Sequence, residues 1–373
     1  MKVLHVYRTC YPETRGGVEQ VIRYITQGCQ QYGVKSKVLS VSHNESYSVD
    51  VQGTEVILCK ADMEIASNSF SFQLFSEFKR LAQWADIIHF HYPWPTGDLL
   101  SLLNKEKPSL VTYHSDIIKQ KWLKKVYKPL ETFFLSNVDA IVATSPQYQA
   151  QSANLLKYCK KTHVIPLAVD PEDYMSPNTN WSSDDQYRFL KSDYFLFVGV
   201  LRYYKGLHHL LDAAKKTDAK IVISGDGPLY DELKQRIANE SIQNVILTGY
   251  ISDSEKLKLL ANCKAFVFPS HMKSEAFGVS LIEAQMLKKA IISCEISTGT
   301  SYVNIQGETG LVVPPGDAES LTSAIEELNK DSHKRSKLGQ NGFNRALSLF
   351  TIEKQAQQYH QLYSAISGKS KHQ

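Results

Sequence analysis

The stretch Ala265-Phe-Val-Phe-Pro-Ser-His-Met-Lys-Ser-Glu-Ala-Phe-Gly-Val-Ser-Leu-Ile-Glu283 passes from an apolar run, through a polar loop, into a helical pattern. Ala265–Pro269 is short and bounded by turn residues, as a buried strand is. Val279–Leu287 reads as a helix. Glu275 then falls in the loop, and Glu283 one to two turns into the helix. A strand that hands over to a helix is half of a βαβ unit. Repeated along a chain, such units give a parallel sheet with helices on both faces.

The repetition is there on both sides of this stretch. In the second half, strands are predicted at Tyr194–Gly199, Lys220–Ser224, Asn244–Thr248 and Ala290–Ser293, with helices between them. In the first half they are predicted at Lys2–Tyr7, Lys37–Val41, Glu55–Leu58, Ile87–His91, Leu110–Tyr113 and Ala140–Thr144. The helix Glu19–Tyr32 follows the first strand, with Val21, Ile22, Ile25 and Cys29 at helical spacing. Met175–Asp193 is polar and turn-rich and marks entry into a second domain, with a hinge near Ile165–Asp170. The fold class is α/β. Residues 1–167 and 168–350 form two Rossmann-like parallel-sheet domains facing across a cleft. Residues 351–373 form an amphipathic helix packing back across both, with a frayed tail from Gly368. Ligands of such sheets bind beyond the carboxyl ends of the strands.

Composition narrows the function classes. Of 373 residues, 43% are hydrophobic and 21% charged, a globular balance that excludes a disordered chain. No run of about 18 apolar residues predicts a transmembrane helix, and the opening lacks the pattern of a signal peptide. The protein is expected to stay in the cytoplasm. Six scattered cysteines form no C-x-x-C pair, which argues for reduced thiols and against a structural zinc. The net charge of +4 falls in residues 1–170. It is too small, and unaccompanied by any known module, to indicate nucleic acid.

The loops after strands carry the chemistry. The amides of Phe277, Gly278 and Val279 would point from a helix N-terminus toward a diphosphate, and Gly278 allows close approach. Glu275 and Glu283 would be roughly 12 Å apart if helical. The competing reading is two surface glutamates near a helix start. In Val198-Gly-Val-Leu-Arg-Tyr-Tyr-Lys-Gly206, Arg202 and Lys205 are placed to neutralise a diphosphate. Positive charge at a helix start opposes the helix dipole, which disfavours a purely structural role. Gly16 and Gly17 precede the first helix, where they permit close backbone approach or simply form a tight turn. His114 ends a strand of the first domain. His89 and His91 alternate on one strand and so share a face; packing accounts for them better than a metal. Gly225 sits in the turn Ser224-Gly-Asp-Gly-Pro228. Residues 117–128 carry an apolar stripe (Ile118, Trp122, Val126) flanked by five lysines, which fits either an anionic membrane surface or an ordinary core-facing helix.

Glu275-x7-Glu283 with Lys205-Gly206 resembles retaining glycosyltransferases of the GT-B fold, in the family called GT4, over nearly the whole chain. The resemblance implies that Glu275 contacts hydroxyls of the transferred sugar and that Glu283 holds the ribose of the donor. It implies that His114 touches the transferred sugar, that Gly16 and Gly17 lie beside the donor phosphate and the acceptor, and that Gly225 lies near the nucleotide. Relatives carry an Arg directly after the strand glycine; here that position is Val200, and Arg202 comes two residues later. The first domain would bind acceptor and the second nucleotide-sugar. The run Ser297-Thr-Gly-Thr-Ser-Tyr302 is similar to bacterial mannosyl- and rhamnosyltransferases of surface polysaccharide pathways, and Tyr113-His-Ser-Asp-Ile117 and Arg202-Tyr-Tyr-Lys-Gly206 look like mannosyltransferases of O-antigen assembly. That likeness implies GDP-mannose as donor and an α-1,3 linkage to N-acetylglucosamine on a lipid diphosphate, at the cytoplasmic face of the inner membrane. No D-x-D occurs, so no metal cofactor is expected; Arg202, Lys205 and a helix N-terminus take the diphosphate charge. The alternatives are a UDP-sugar transferase of the same fold, a sugar-nucleotide epimerase, and a non-catalytic sugar-nucleotide-binding protein.

Overall fold

The computed structural model describes residues 1–14, 16–65, 68–104, 106–117, 121–175, 186–187, 190 and 193–368, without the side chains of 65 and 121–126. The chain divides into two compact units. One is Met1–Ala168 with Ile352–Gln373, and the other is Val169–Thr351.

The first unit holds β1 (Lys2–Val6), β2 (Lys35–Ser42), β3 (Tyr47–Val51), β4 (Thr54–Lys60), β5 (Met63–Ile65), β6 (Asn68–Phe70), β7 (Ile87–Tyr92), β8 (Ser109–Tyr113), β9 (Ala140–Ala143) and β10 (Thr162–Val164). Eight of them form one sheet in the order β10-β9-β8-β7-β1-β2-β4-β3, and β5 and β6 form a separate hairpin. From β1 the chain builds outward to β2 and β4, then returns to place β7 on the other side of β1 and grows the opposite way. The reversal between β1 and β7 is the switch point at which such sheets bind ligands.

Besides the antiparallel β5–β6 hairpin, one strand of the eight-stranded sheet departs from the all-parallel expectation. β3 runs antiparallel to β4. Gln52 and Gly53, both at positive φ (53° and 80°), form the two-residue turn that joins them, a backbone shape that matches the twist of a hairpin.

The second unit holds β11 (Phe195–Val198), β12 (Ile221–Ser224), β13 (Val245–Gly249), β14 (Ala265–Phe268), β15 (Ala290–Cys294) and β16 (Gly310–Val313). All are parallel, in the order β13-β12-β11-β14-β15-β16. Its switch point lies between β11 and β14.

The central strands β7, β8, β9, β11, β12, β14 and β15 are buried at every position. Helices cover both faces, which is why these strands read as continuous apolar runs rather than alternating ones. Truncating a fully buried side chain such as Leu110 to Ala costs about 2–5 kcal/mol.

The helix Ile352–Ser367 completes the first unit by packing on the helix Gly17–Gln30. A Cβ on Gly28 would lie 2.8 Å from the Ala356 Cβ, so the two helices touch where no side chain intervenes. Tyr32 stacks on His360 with ring centroids 4.7 Å apart, and Gln355 donates to the Pro166 carbonyl at 2.7 Å. All six cysteines are free, and all but Cys159 are buried. Among the described residues no helix is long and apolar enough to cross a membrane.

Candidate functional site

In the second unit, the loops leaving β11 and β14 meet at the switch point. Lys205 ends a short 3-10 turn, Tyr203–Lys205. Its Nζ donates to Glu275 Oε2, and the two side chains are 11% exposed each. The ammonium also sits 4.7 Å from the centroid of the Phe268 ring, a cation–π contact. Glu275 Oε2 accepts a second bond from Ser270 Oγ at 3.3 Å. Gly206 makes this convergence possible. It takes φ +70°, and a Cβ there would lie 2.0 Å from the Pro269 carbonyl oxygen, so only glycine lets the β11 loop lie against the end of β14.

The Glu275 loop is braced from behind by the Thr-Gly-Thr run. Thr298 Oγ1 donates to the Glu275 carbonyl at 2.7 Å, and the Gly299 amide donates to the Ala276 carbonyl at 2.8 Å. Phe277 is buried and packs edge-on against Phe350. The helix Val279–Met286 starts only after Gly278, a left-handed N-cap (φ 84°) with no capping side chain. Only Val279 to Glu283 is helical, a rise of about 6 Å; residues 275–278 are loop, so the 12 Å helical span from Glu275 to Glu283 does not apply. The first amides of this helix have no partner within it, and its dipole favours negative charge at this end.

Glu283 lies on the second turn of that helix. Its Oε1 accepts from Lys256 Nζ and from Tyr174 Oη, both at 3.0 Å. Neither partner was singled out from the sequence. Lys256 rides on the helix Asp253–Asn262, whose start is legible in the capping box Ser252-x-x-Glu255. Tyr174 comes from the four-residue helix Glu172–Met175, whose start is marked by Asp170-Pro171, with the Glu172 amide donating to Asp170 Oδ1 at 3.0 Å. Arg202 is exposed, as is Val200 at the position relatives fill with Arg. Gly225 follows β12, and its amide donates to the Gly249 carbonyl at 2.9 Å.

In the first unit, Gly16 caps the helix that begins at Gly17, and both glycines are exposed. Arg15 lies outside the described residues. His114 follows β8, and its amide donates to the Tyr92 carbonyl at 3.0 Å. Behind it lies a row of imidazoles that sequence reasoning saw only in part. His91 Nδ1 is 3.0 Å from His114 Nε2, and His91 Nε2 is 3.2 Å from His5 Nδ1. His5 and His89 are register partners on β1 and β7 at the switch point, and His89 stacks on His91 at 4.4 Å. Burial pushes His5 and His114 down to about 3 and lowers His89 and His91 well below the usual range, so all four are neutral at pH 7.

His5, His89 and His91 bring ring nitrogens within 4.8 Å of one another, close enough to be weighed as a metal site. Those nitrogens are engaged, however. His89 pairs through Nδ1 with Tyr363 Oη (2.8 Å) and through Nε2 with Thr112 Oγ1 (2.7 Å), while His91 spends both nitrogens on imidazoles. Within residues 117–128, residues 118–120 and the side chains of 121–126 lie outside the described residues. Lys128 is tied down, with Nζ 2.6 Å from Glu131 and 2.8 Å from Asn154 Oδ1, so it does not act as a free surface cation.

Two parallel-sheet Rossmann-like units, with a basic loop after β11 and the two-glutamate motif after β14, define the class of GT-B glycosyltransferases. Residues 15–173 match "Glycosyltransferase Family 4", and residues 180–345 match "Glycosyl transferases group 1". The chain is 44% identical to D-rhamnosyltransferase WbpZ of Pseudomonas aeruginosa over 94% of its length and 92% of that protein's. It is 41% identical to O-antigen chain mannosyltransferase C of Escherichia coli over 98% and 99%. Sucrose-phosphate synthase from Thermosynechococcus elongatus has the same fold, with a TM-score of 0.78 and 20% identity, covering 99% of this chain and 100% of that one. This chain belongs to glycosyltransferase family 4, and it is a sugar-nucleotide-dependent glycosyltransferase.

Proposed function

We propose that the protein transfers mannose from GDP-mannose, with retention, to a hydroxyl of N-acetylglucosamine carried on a lipid diphosphate, forming an α-1,3 linkage in O-antigen assembly. The observation that carries the donor site is the meeting of Lys205 and Glu275 at the second unit's switch point, beside the open N-terminus of the helix Val279–Met286. A diphosphate takes the place of Glu275 as partner of Lys205, with Arg202 adding charge. Glu275 is then released to accept hydroxyls of the sugar, and Glu283 accepts from the ribose. Gly16, Gly17 and His114 supply the first unit's share of donor and acceptor contacts.

In the transfer, the bond from the anomeric carbon to the diphosphate oxygen breaks and a bond to the acceptor oxygen forms on the same face. The acceptor's proton passes to the departing diphosphate. Lys205, Arg202 and the helix amides stabilise the charge that builds there, so activity needs no divalent metal. A lipid-linked acceptor places the enzyme at the cytoplasmic membrane surface. Liposome flotation tests this: Lys124→Glu/Lys125→Glu should weaken binding, and no loss counts against a role for 117–128.

A second reading has direct support from the relatives. The 44% relative is a D-rhamnosyltransferase, and D-rhamnose is mannose without its 6-hydroxyl. Both sugars share the manno configuration, so GDP-D-rhamnose is the rival donor. Transfer to a synthetic N-acetylglucosamine-diphosphate-lipid from GDP-mannose, GDP-D-rhamnose, UDP-glucose and UDP-N-acetylglucosamine decides. Product from GDP-mannose alone supports the proposal. Product only from GDP-D-rhamnose or a UDP-sugar discards it, and donor binding without product from any of them moves the assignment to a different acceptor.

A further inference from the structure

We propose that His5 and His91 act as positioning residues that lock the tautomer of His114. The premise that this tautomer matters to catalysis rests on the proposed contact of His114 with the transferred sugar; the lock itself rests on geometry alone. Three imidazoles stand in a row, His5 Nδ1 to His91 Nε2 at 3.2 Å and His91 Nδ1 to His114 Nε2 at 3.0 Å. Each neutral ring carries one N–H, and each nitrogen-to-nitrogen contact needs one proton between its two atoms. If His91 holds its proton on Nδ1, it donates to His114 Nε2. His114 must then carry its own on Nδ1, and His5 must donate from Nδ1. If His91 holds it on Nε2, it donates to His5 Nδ1, which puts the His5 proton on Nε2, and His114 must donate from Nε2. All three rings are Nδ1–H, or all three are Nε2–H; no mixed row satisfies both contacts. His114 Nδ1 is thereby fixed as a donor in the first case and as an acceptor in the second.

The neighbouring histidine shows what the row adds. His89 bonds to the hydroxyls of Tyr363 and Thr112, and Thr112 bonds in turn to Tyr359 Oη at 2.8 Å. Hydroxyls rotate and both donate and accept, so they satisfy either tautomer and fix neither. An imidazole holds a single proton, so each ring of the row ties its neighbour's tautomer to its own. The row is not a proton conductor either. Carrying a proton inward would leave it on His5, which is 1% exposed and whose burial holds it near 3, so at pH 7 about one molecule in ten thousand would bear it. His114, at 8%, is the most exposed of the row.

The test is the tautomer of each imidazole in the intact protein, read from two-bond nitrogen–proton correlations of nitrogen-15-labelled histidines. In the wild-type protein His5, His91 and His114 should show one and the same tautomer; mixed identities overturn the lock without recourse to any variant. His5→Phe should move His114 off its wild-type tautomer or split it into two. His5→Asn, whose amide can donate or accept at the Nδ1 position, should keep both contacts of the row satisfied and His91 and His114 in matching tautomers. An unchanged His114 in His5→Phe overturns the role of His5. Kinetics with GDP-mannose separate this from the sugar-contact reading: His5→Phe should lower kcat by between about 10- and 100-fold, as losing a group that orients a functional imidazole does elsewhere, with donor KM within twofold and recovery in His5→Asn. A shifted tautomer with unchanged kcat supports the lock and removes the proposed role of His114 in transfer.

Discussion

Lys205 and Glu275, 70 positions apart, form a nearly buried ion pair that joins the loops leaving β11 and β14. Two charges taken out of water hold each other in place, and removing one strands the other at a cost of about 3 kcal/mol. Lys205→Ala and Glu275→Ala should therefore each lower stability. The double variant should lose less than the sum, since no charge is left unpaired. Urea unfolding of the three variants checks this; additive losses would mean the pair does not couple. Lys205→Ala should also lower transfer at least about 100-fold, because it removes charge from the departing diphosphate.

Glu283 is held differently, by Lys256 and Tyr174 at 3.0 Å each. Its proposed partner, the ribose, does not change during the reaction. Glu283→Gln should raise the donor KM and weaken GDP binding by roughly tenfold, the loss of one charged hydrogen bond, while kcat changes little. Titration calorimetry with GDP and a donor saturation curve read both quantities. A fall in kcat at unchanged KM contradicts the ribose assignment.

Gly299→Ala probes the brace behind Glu275. The added Cβ would lie 2.5 Å from the Phe277 ring and 2.8 Å from the Ala276 carbonyl. Backbone has to move, and the loop that moves is the one that carries Glu275. We expect a stability loss of about 1–3 kcal/mol and a disproportionate loss of transfer, measured side by side. Full activity in a destabilised variant would show that the brace does not position Glu275.

The buried histidines make stability pH-dependent. Their folded values lie below the value of about 6.5 for the unfolded chain, near 3 for His5 and His114. Above about pH 6.5 neither state binds the proton and nothing is lost. As pH falls toward 3 the unfolded chain takes up protons that the folded one refuses, and stability drops by about 1.4 kcal/mol per pH unit for each such histidine. His5→Phe should flatten the slope between pH 6 and 4 by one proton, read from urea unfolding at several pH values. An unaltered slope would mean that His5 is protonated in the folded state.

Much of this was legible in the sequence, for physical reasons that also explain what was not. Strands buried on both faces, such as β8 and β14, read as unbroken apolar runs. β3 did not, because it is an edge strand with alternating polar residues, marked only by Gln52-Gly53. β10 and β16 were missed as well, the first being three residues long and the second opening on a glycine. Glu275, Glu283 and Lys205 carry their spacing locally, so each could be singled out. What spacing cannot show is which side chains meet across elements. Lys256 and Tyr174 reach Glu283 from two other helices, and His5, His91 and His114 come from three neighbouring stretches of the first sheet. The sequence hinted only that His89 and His91 share a face.

The central claim is that Glu275 and Lys205 bind and activate a sugar nucleotide without metal. The most direct measurement is transfer from GDP-mannose to the N-acetylglucosamine-diphosphate-lipid in the presence of EDTA, by wild type and Glu275→Ala. The account predicts full wild-type activity and at least about a 100-fold loss in the variant. Activity that disappears with EDTA and returns only with a divalent metal, or a Glu275→Ala enzyme as fast as wild type, would contradict it.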